Sequence, residues 1–140
     1  MNILVAHDGS EHSNKALHEA ALLAGKFGAH LAILAVVPDL CLSTEEIGPG
    51  ECEIISRTLD AETQAVMNKV ISGLTAQGLS ARLIIRQGRT LDQILDTSEE
   101  LKADLVVVGS KGRHGAGRFL MGSVSSKVAE YSKRNVLIVK

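Results

Sequence analysis

The sequence GSKGRHGAGRFLMGSVSS, residues 109–126, follows an apolar run typical of a buried strand and leads into a pattern typical of a helix. It holds five of the 13 glycines in the chain. Glycine lets the backbone approach a ligand closely, and free N–H groups at a helix N-terminus attract anions. This order of a strand, a glycine-rich turn and a helix N-terminus predicts a phosphate-binding site. The rest of the chain is then interpreted as the scaffold of this site.

On the N-terminal side of this stretch, and again after it, short apolar runs alternate with segments of helical periodicity. The predicted strands are 3–6, 30–37, 80–86, 103–108 and 135–139, and the predicted helices are 11–27, 52–76, 90–101 and 123–134. The predicted core face of the second helix consists of Leu59, Ala65, Val66, Val70, Ile71 and Leu74. Continuous apolar strands alternating with helices indicate a parallel sheet covered on both faces. We therefore expect a single α/β domain over residues 1–140, built on an open five-stranded parallel sheet.

The position of a ligand site follows from the order of the strands. In open parallel sheets, ligands bind outside the carboxyl ends of the strands, where the strand order reverses. If the order is 3-2-1-4-5, the reversal lies between the first and fourth strands. The turns after these strands are HDGS, residues 7–10, and GSKG, residues 109–112. Both turns are polar and contain glycine, so we expect them to form the site together.

Composition argues against several classes of partner. The chain has 140 residues, of which 45% are hydrophobic, a net charge of −1 and no Trp. Acids and bases are mixed and aromatic residues are few, so neither a nucleic-acid footprint nor an anionic-membrane partner is expected. The apolar runs are far shorter than a membrane span, and no secretory signal precedes the first strand. The expected location is therefore cytoplasmic.

The two cysteines, Cys41 and Cys52, do not form a C-x-x-C pair, and no second cluster completes a zinc site. We expect both to be reduced thiols, with a redox-sensitive pair as the alternative.

Three common motifs are absent from residues 109–126. No glycine is followed by Lys and Ser or Thr at P-loop spacing, and residues 115–117, GAG, lack the third small residue of a dinucleotide fingerprint. Neither Ser110 nor Ser123 has the frame of a G-x-S-x-G nucleophile. The pattern that is present is G-x2-G-x9-G-S, formed by Gly109, Gly112, Gly122 and Ser123.

With this pattern the sequence resembles the universal stress protein family, in the branch whose members bind nucleotides. The resemblance extends over the whole chain, including its length, the opening strand that ends in D-G-S and the closing VLIV at residues 136–139. It implies a universal stress protein domain over residues 1–140 with an adenine-nucleotide alpha-hydrolase-like fold. It also implies ATP, or AMP, ADP or cyclic AMP, as ligand together with Mg²⁺, and a role as a sensor or regulatory module in stress response.

The resemblance assigns the phosphates to the second half of the glycine pattern. Gly112, Gly122 and the N–H groups of Ser123 and Val124 would surround them, and the hydroxyls of Ser123 and Ser125 would add hydrogen bonds.

The resemblance assigns the adenine and ribose to the first and second strands. Gly109 would pass close to the ribose, Asp8 would lie near adenine and ribose, and the backbone of Val36 would recognise adenine. Asp8 as a plain turn residue or helix cap is the alternative. The chain departs from the family at two positions, because Ala6 stands where nucleotide-binding members often have Pro and His7 where a small residue or Thr is common.

The charged side chains near the glycine pattern have open roles. Lys111, Arg113 and Arg118 either pair with phosphate oxygens or are solvated loop charges. His114 is a further candidate for a ligand contact. His12 and His18 are interpreted as surface residues of the first helix. The complete set of expected nucleotide contacts is Ala6, His7, Asp8, Val36, Val108, Gly109, Gly112, Arg113, Gly122, Ser123, Val124 and Ser125.

Two further functions stay open from the sequence. One is a slow ATPase or nucleotide-dependent phosphotransferase with Ser123 or Ser125 as a phosphorylation site, although Asp8 alone is a thin basis for such chemistry. The other is a purely structural role without a ligand, against which the complete glycine pattern argues. A homodimer is expected through the last strand, NVLIV at residues 135–139, because an apolar edge strand favours pairing with a partner.

Overall fold

The structure is a computed structural model that describes residues 1–39, 48–112 and 121–140. Within these residues five strands and four helices alternate along the chain. The strands are β1 (Asn2–Ala6), β2 (His30–Val37), β3 (Arg82–Gln87), β4 (Leu105–Gly109) and β5 (Asn135–Val139). The helices are α1 (Glu11–Phe27), α2 (Pro49–Ala76), α3 (Thr90–Glu100) and α4 (Ser123–Tyr131).

The five strands form one parallel sheet in the order β3-β2-β1-β4-β5, which confirms the predicted fold class and strand order. Val5 in the central strand lies opposite Ile33 of β2 on one side and Val107 of β4 on the other. The order therefore reverses between β1 and β4, and the turns that follow these two strands lie at the same edge of the sheet.

Both faces of the sheet are buried, as continuous apolar strands require. Successive residues of a strand point to opposite faces, so β1 and β4 contribute to two cores. The first core, closed by α1 and α2, is centred on Ile3, Val5, Ile33, Met67 and Val107. The second core, closed by α3 and α4, is centred on Leu4, Leu34, Ile94, Val106 and Val128.

Helix α1 begins and ends where the sequence predicts. The Ser10 hydroxyl accepts a hydrogen bond from the Ser13 N–H at 3.2 Å and caps the N-terminus. Gly28, with φ of +61°, caps the C-terminus. The buried apolar face consists of small residues and one leucine, namely Ala16, Leu17, Ala20, Ala21 and Ala24, so the helix axis lies close to the sheet.

Helix α2 differs from its prediction in its start and in its buried face. It begins at Pro49, before the predicted boundary, because proline suits the first helical position, where no N–H is needed. Its buried side chains are Met67 and Leu74, which are seven residues apart and so share one face. Ala65 and Val66, both expected in the core, are exposed, because they are rotated away from that face.

Three smaller findings complete the comparison with the sequence. Strands β3 and β4 begin later than predicted, at Arg82 and Leu105. Cys52 is disulfide-bonded, so the expectation of a reduced thiol is wrong for this residue, while Cys41 lies outside the described residues. None of the described helices is both long enough and apolar enough to cross a membrane.

Candidate functional site

The structure brings the turns after β1 and β4 into contact at the carboxyl edge of the sheet. Asp8 follows β1, Gly112 lies in the turn after β4, and a Cβ added to Gly112 would lie 3.1 Å from Asp8 Oδ2. A side chain at residue 112 would therefore push against the carboxylate. The two polar turns that the sequence singled out thus meet at the reversal of strand order.

Hydrogen bonds hold the turn at residues 7–10 in one shape. Asp8 Oδ1 accepts a hydrogen bond from the Ser10 N–H at 2.9 Å. Gly9 between them has φ of +83°, a conformation that costs little only for glycine. Ser10 also caps α1, so its hydrogen bond to Asp8 keeps the exposed Asp8 carboxylate next to the N-terminus of the helix. The second carboxylate oxygen, Oδ2, faces Gly112.

His7 lies beneath this turn and is 3% exposed. Its Nδ1 accepts a hydrogen bond from the Gly9 N–H at 3.1 Å, and its Nε2 lies 2.8 Å from Asn14 Oδ1 on α1. Burial lowers the pKa of His7 below 6.5, while the hydrogen bond to Asn14 and the charge of Asp8 oppose this shift. Both ring nitrogens are engaged by the protein, so the ring offers no polar atom to a nucleotide in this arrangement.

Gly109 lies at the closest approach between β4 and α1. A Cβ on Gly109 would stand 2.8 Å from the carbonyl carbon and oxygen of His12. His12 was expected at the surface, but it is half-buried and its Nδ1 is fully buried; that expectation is wrong because the first turn of α1 packs against the end of β4. His18 is exposed, as expected.

Helix α4 presents the free N–H groups that a phosphate needs. Its first intrahelical hydrogen bond runs from the Ser126 N–H to the Gly122 carbonyl at 3.0 Å. The N–H groups of residues 123–125 therefore have no acceptor within the helix, and the helix dipole places partial positive charge there. Gly122 donates its own N–H to the Ser110 carbonyl at 2.6 Å, which fixes the helix start beside the turn after β4.

The two serines of the glycine pattern have different environments. Ser123 is exposed at the first position of α4. Ser125 is buried, and it donates its hydroxyl proton to the Gly109 carbonyl at 2.5 Å. A hydroxyl has a single proton to donate, so in this arrangement Ser125 ties α4 to β4, and Ser123 is the serine that faces solvent.

The remaining expected contacts lie in the strands and the helix that meet near this edge of the sheet. Ala6 and Val36 are half-buried near the ends of β1 and β2, Val108 is buried in β4, and Val124 is half-buried in the first turn of α4. Lys111 is half-buried next to Gly112. The other charged candidates, Arg113, His114 and Arg118, lie outside the described residues.

Two residues that the sequence did not single out contribute to the junction. The side-chain oxygen of Asn14 is hydrogen-bonded to the His7 ring. Ser110 is buried, with 8% of its surface exposed. The Ser110 N–H donates to the Val139 carbonyl at 2.7 Å, while its carbonyl accepts from Gly122. Ser110 was within the glycine pattern and could have been noted there, but no spacing rule connects residue 7 with residue 14.

A cavity of about 670 Å³ lies at the amino ends of the strands and is lined by residues that include Leu31, Arg82 and Glu100. Glu100 is ion-paired with Arg86, so its carboxylate already has a positively charged partner within the protein. The backbone N–H groups and the carboxylate that suit an anionic, metal-bound ligand are at the opposite, carboxyl edge. We therefore place the candidate site between β1, β4 and α4.

Comparison with known proteins identifies one family. A family model described as "Universal stress protein family" matches residues 1–140. Universal stress protein MJ0531 of Methanocaldococcus jannaschii is 33% identical over 141 residues, which cover 99% of this chain and 81% of that protein. Among solved structures, universal stress protein UspA from Lactobacillus plantarum has a TM-score of 0.87 at 26% identity, covering 100% of this chain and 97% of that chain. A universal stress protein in complex with cAMP has a TM-score of 0.65, also at 26% identity and with the same coverage.

Proposed function

The chain belongs to the universal stress protein family, and we propose that it binds an adenine nucleotide, ATP or a related species, as a sensor or regulatory module in stress response. The observation that carries the proposal is the junction of Asp8 with Gly112 beside the N-terminus of α4. A related structure in complex with cAMP supports the choice of an adenine nucleotide.

The phosphates bind at the start of α4 in this proposal. The free N–H groups of residues 123–125 point at the anion, and the helix dipole favours its charge. Gly112 and Gly122 border this space, and the absence of side chains there lets phosphate oxygens approach the backbone. The exposed Ser123 hydroxyl adds a donor. Ser125 acts by holding α4 on β4 through Gly109.

The adenine and ribose bind toward β1 and β2. Ala6 and Val36 end neighbouring strands and are half-buried, so they suit the edge of a flat apolar base. In this proposal Asp8, whose Oδ2 faces Gly112, contacts the ribose.

Mg²⁺ accompanies the nucleotide in this proposal. This ion keeps several waters and is usually bound by one or two carboxylates together with the phosphates of its ligand. Asp8 provides one carboxylate beside the proposed phosphate site, and its Oδ2 faces Gly112. The residues present therefore fit an ion that the nucleotide itself largely holds.

The sensing step follows from the connectivity of the site. Gly112 and Gly122 border the same phosphates, and residues 113–120 connect them in the sequence. These residues lie outside the described ranges, and in this proposal a partner protein that contacts them distinguishes the nucleotide-bound protein from the free one.

A homodimer through β5 is part of the proposal. Among the described strands, β5 is at one end of the sheet next to β4, and residues 136–139 are half-buried. An apolar strand with one unpaired edge favours pairing with a second copy.

The test is to identify the nucleotide directly. The purified protein is denatured, the supernatant is analysed by nucleotide chromatography, and calorimetry with ATP, ADP, AMP and cyclic AMP follows, with and without Mg²⁺. We expect saturable binding of at least one of the four. Assaying the ATP mixtures for ADP separates binding from slow hydrolysis. Absence of any co-purified nucleotide, together with no heat of binding at millimolar concentrations, would refute the proposal.

A further inference from the structure

We propose that the cavity at the amino ends of the strands is a second ligand site, which binds a monocarboxylate with a short apolar chain. The carboxylate pairs with the guanidinium of Arg82, and the chain lies over Ala32. This cavity is at the edge of the sheet opposite the proposed nucleotide site, so the proposal goes beyond nucleotide binding and does not depend on it.

The small side chain of Ala32 lies at the floor of the cavity. Leu4, Ala32 and Arg82 are aligned across β1, β2 and β3, so they share one face of the sheet. This is the face of the second core, to which Leu4 and Ala32 belong. Leu34, two residues further along β2, fills this layer and is fully buried, whereas alanine at residue 32 leaves space above it. The cavity volume of about 670 Å³ is within the range of small-molecule sites, about 300–1,000 Å³.

The residues at and after the end of α3 form an apolar wall of the cavity. Leu101 and Ala103 line it and pack against the second core. Asn2 Nδ2 donates a hydrogen bond to the Leu101 carbonyl at 3.0 Å, and the Asn2 N–H donates to Asp104 Oδ2 at 2.7 Å. Because these bonds attach the wall to the first strand, the apolar part of the site is preformed.

The charges beside the cavity are two guanidinium groups and one carboxylate. Arg82 and Arg86 are four residues apart on β3 and therefore project from the same face. Glu100 accepts hydrogen bonds from both Nη1 and Nη2 of Arg86. Arg82 is exposed and forms no ion pair with any residue in the described ranges. One guanidinium is thus neutralised by the protein, and the positive charge of the other favours an anionic ligand.

The class of ligand follows from this combination of a cation and an apolar floor. A guanidinium binds a carboxylate through two parallel hydrogen bonds, as Arg86 does with Glu100. His30, two residues before Ala32 on the same face, lines the cavity and offers a ring N–H as a further donor. A second carboxylate on the ligand would have to be buried over Leu4 and Ala32 without a partner, which disfavours dicarboxylates. A small inorganic anion would pair with Arg82 but gain nothing from the apolar floor.

Calorimetry of the purified protein with straight-chain monocarboxylates, from acetate to octanoate, tests the apolar part of the site. We expect Kd to fall by up to about fourfold for each added methylene group until the cavity is filled. Hexanamide, which has the same chain as hexanoate without the charge, should bind about tenfold or more weakly than hexanoate, because it lacks the charge-assisted hydrogen bonds to Arg82.

Three variants separate the charge from the cavity. Arg82→Gln should weaken hexanoate binding about tenfold or more and leave hexanamide binding unchanged. Arg57→Gln removes the same charge from the exposed surface of α2 and should bind hexanoate as the wild type does. Ala32→Leu should abolish binding of both compounds, because the larger side chain fills the cavity. Circular dichroism checks the fold of each variant, and the exposed position of Arg82 keeps the comparison valid if Ala32→Leu does not fold.

NMR spectra locate the bound acid. Hexanoate should shift the signals of the Ala32 methyl group and of Arg82 Nε, and shifts confined to Gly112 and Ser123 would place it at the carboxyl edge instead and overturn the proposal. It is also overturned if none of the acids binds saturably at millimolar concentration, or if Arg82→Gln and Arg57→Gln bind hexanoate equally. The nucleotide measurements concern the other edge of the sheet, so either proposal can fail while the other stands.

Discussion

Gly109 and His12 are in backbone contact, and a Cβ on Gly109 would lie only 2.8 Å from the His12 carbonyl. The end of β4 and the first turn of α1 can pack at this distance because residue 109 has no side chain. Gly109 therefore serves the fold directly, like a glycine that permits close packing of helix and strand in dinucleotide-binding folds, whatever it contributes to the ribose.

We expect Gly109→Ala to destabilise the protein by about 1–3 kcal/mol, because the methyl group meets backbone atoms that cannot move aside locally. The measurement is urea unfolding followed by circular dichroism. The matched control is Gly73→Ala in α2, where a Cβ meets nothing within 4 Å and where alanine should stabilise the helix by about 0.5–1 kcal/mol. Equal stability of Gly109→Ala and the wild type would show that α1 can shift away from β4.

We expect Gly122→Val to abolish nucleotide binding while the protein stays folded. Gly122 has φ of −58° and ψ of 154°, which any residue can adopt, but a Cβ there lies 3.4 Å from Lys111 Cα and from the Ser110 carbonyl oxygen. The branched side chain would occupy the space between α4 and the turn after β4, where we place the phosphates. Calorimetry of ATP and cyclic AMP gives the affinity, and circular dichroism checks the fold. Gly122→Ala should weaken binding less, and a valine variant with wild-type affinity would refute the location of the phosphate site.

The periodicity of apolar residues was sufficient to predict a parallel α/β sheet covered on both faces, whereas the strand order was an assumption. Continuous apolar strands between helices left one class of architecture, and the strand order confirmed the expected meeting of the turns at residues 7–10 and 109–112. The contacts of individual side chains were not predictable in the same way. His12 is half-buried because α1 packs on Gly109, and the His7 ring meets Asn14 across a turn. Both contacts depend on tertiary packing, which leaves no periodic signal in the sequence.

The same limit explains the misplaced residues of α2. A list of apolar residues in a long helix contains more positions than one face can hold, and only the sheet decides which of them are buried. Met67 lies over the first core whereas Val66, one residue earlier, is 39% exposed. A Cβ added to Gly9 would lie 3.7 Å from the side chain of Val66. Helix α2 therefore also borders the turn at residues 7–10 of the candidate site.

We expect Asp8→Asn to reduce the dependence of ATP affinity on Mg²⁺ while preserving the turn. Asparagine keeps an oxygen that can accept the Ser10 N–H, but it removes the negative charge that attracts the cation. The measurement is the ratio of Kd in EDTA to Kd in Mg²⁺ for each protein. That ratio should fall toward one in the variant, and an unchanged ratio would mean that Asp8 is not near the metal.

We expect the free energy of unfolding to decrease as the pH falls below about 6.5, and His7 to contribute to this decrease. Because burial lowers the pKa of His7 in the folded protein, the unfolded chain binds its proton first. Stability is therefore unaffected by this group above the unfolded pKa and is lost as the pH falls toward the folded pKa, with a slope of at most about 1.4 kcal/mol per pH unit. Urea titrations across this range should show a shallower slope for His7→Asn than for the wild type. Parallel slopes would indicate that folding does not lower the pKa of His7.

We expect Ile138→Pro to convert the proposed dimer into a monomer. The Val139 carbonyl accepts a hydrogen bond from the Ser110 N–H at 2.7 Å, so Val139 and Leu137 direct their backbone groups toward β4, and the N–H of Ile138 between them points to the open edge. Proline at residue 138 removes a donor that β4 does not use, whereas Leu137→Pro removes one that β4 uses and should destabilise the fold by about 3 kcal/mol. Light scattering coupled to size exclusion gives the mass in solution, and urea unfolding gives the stability. If Ile138→Pro remains a folded dimer, β5 is not the interface.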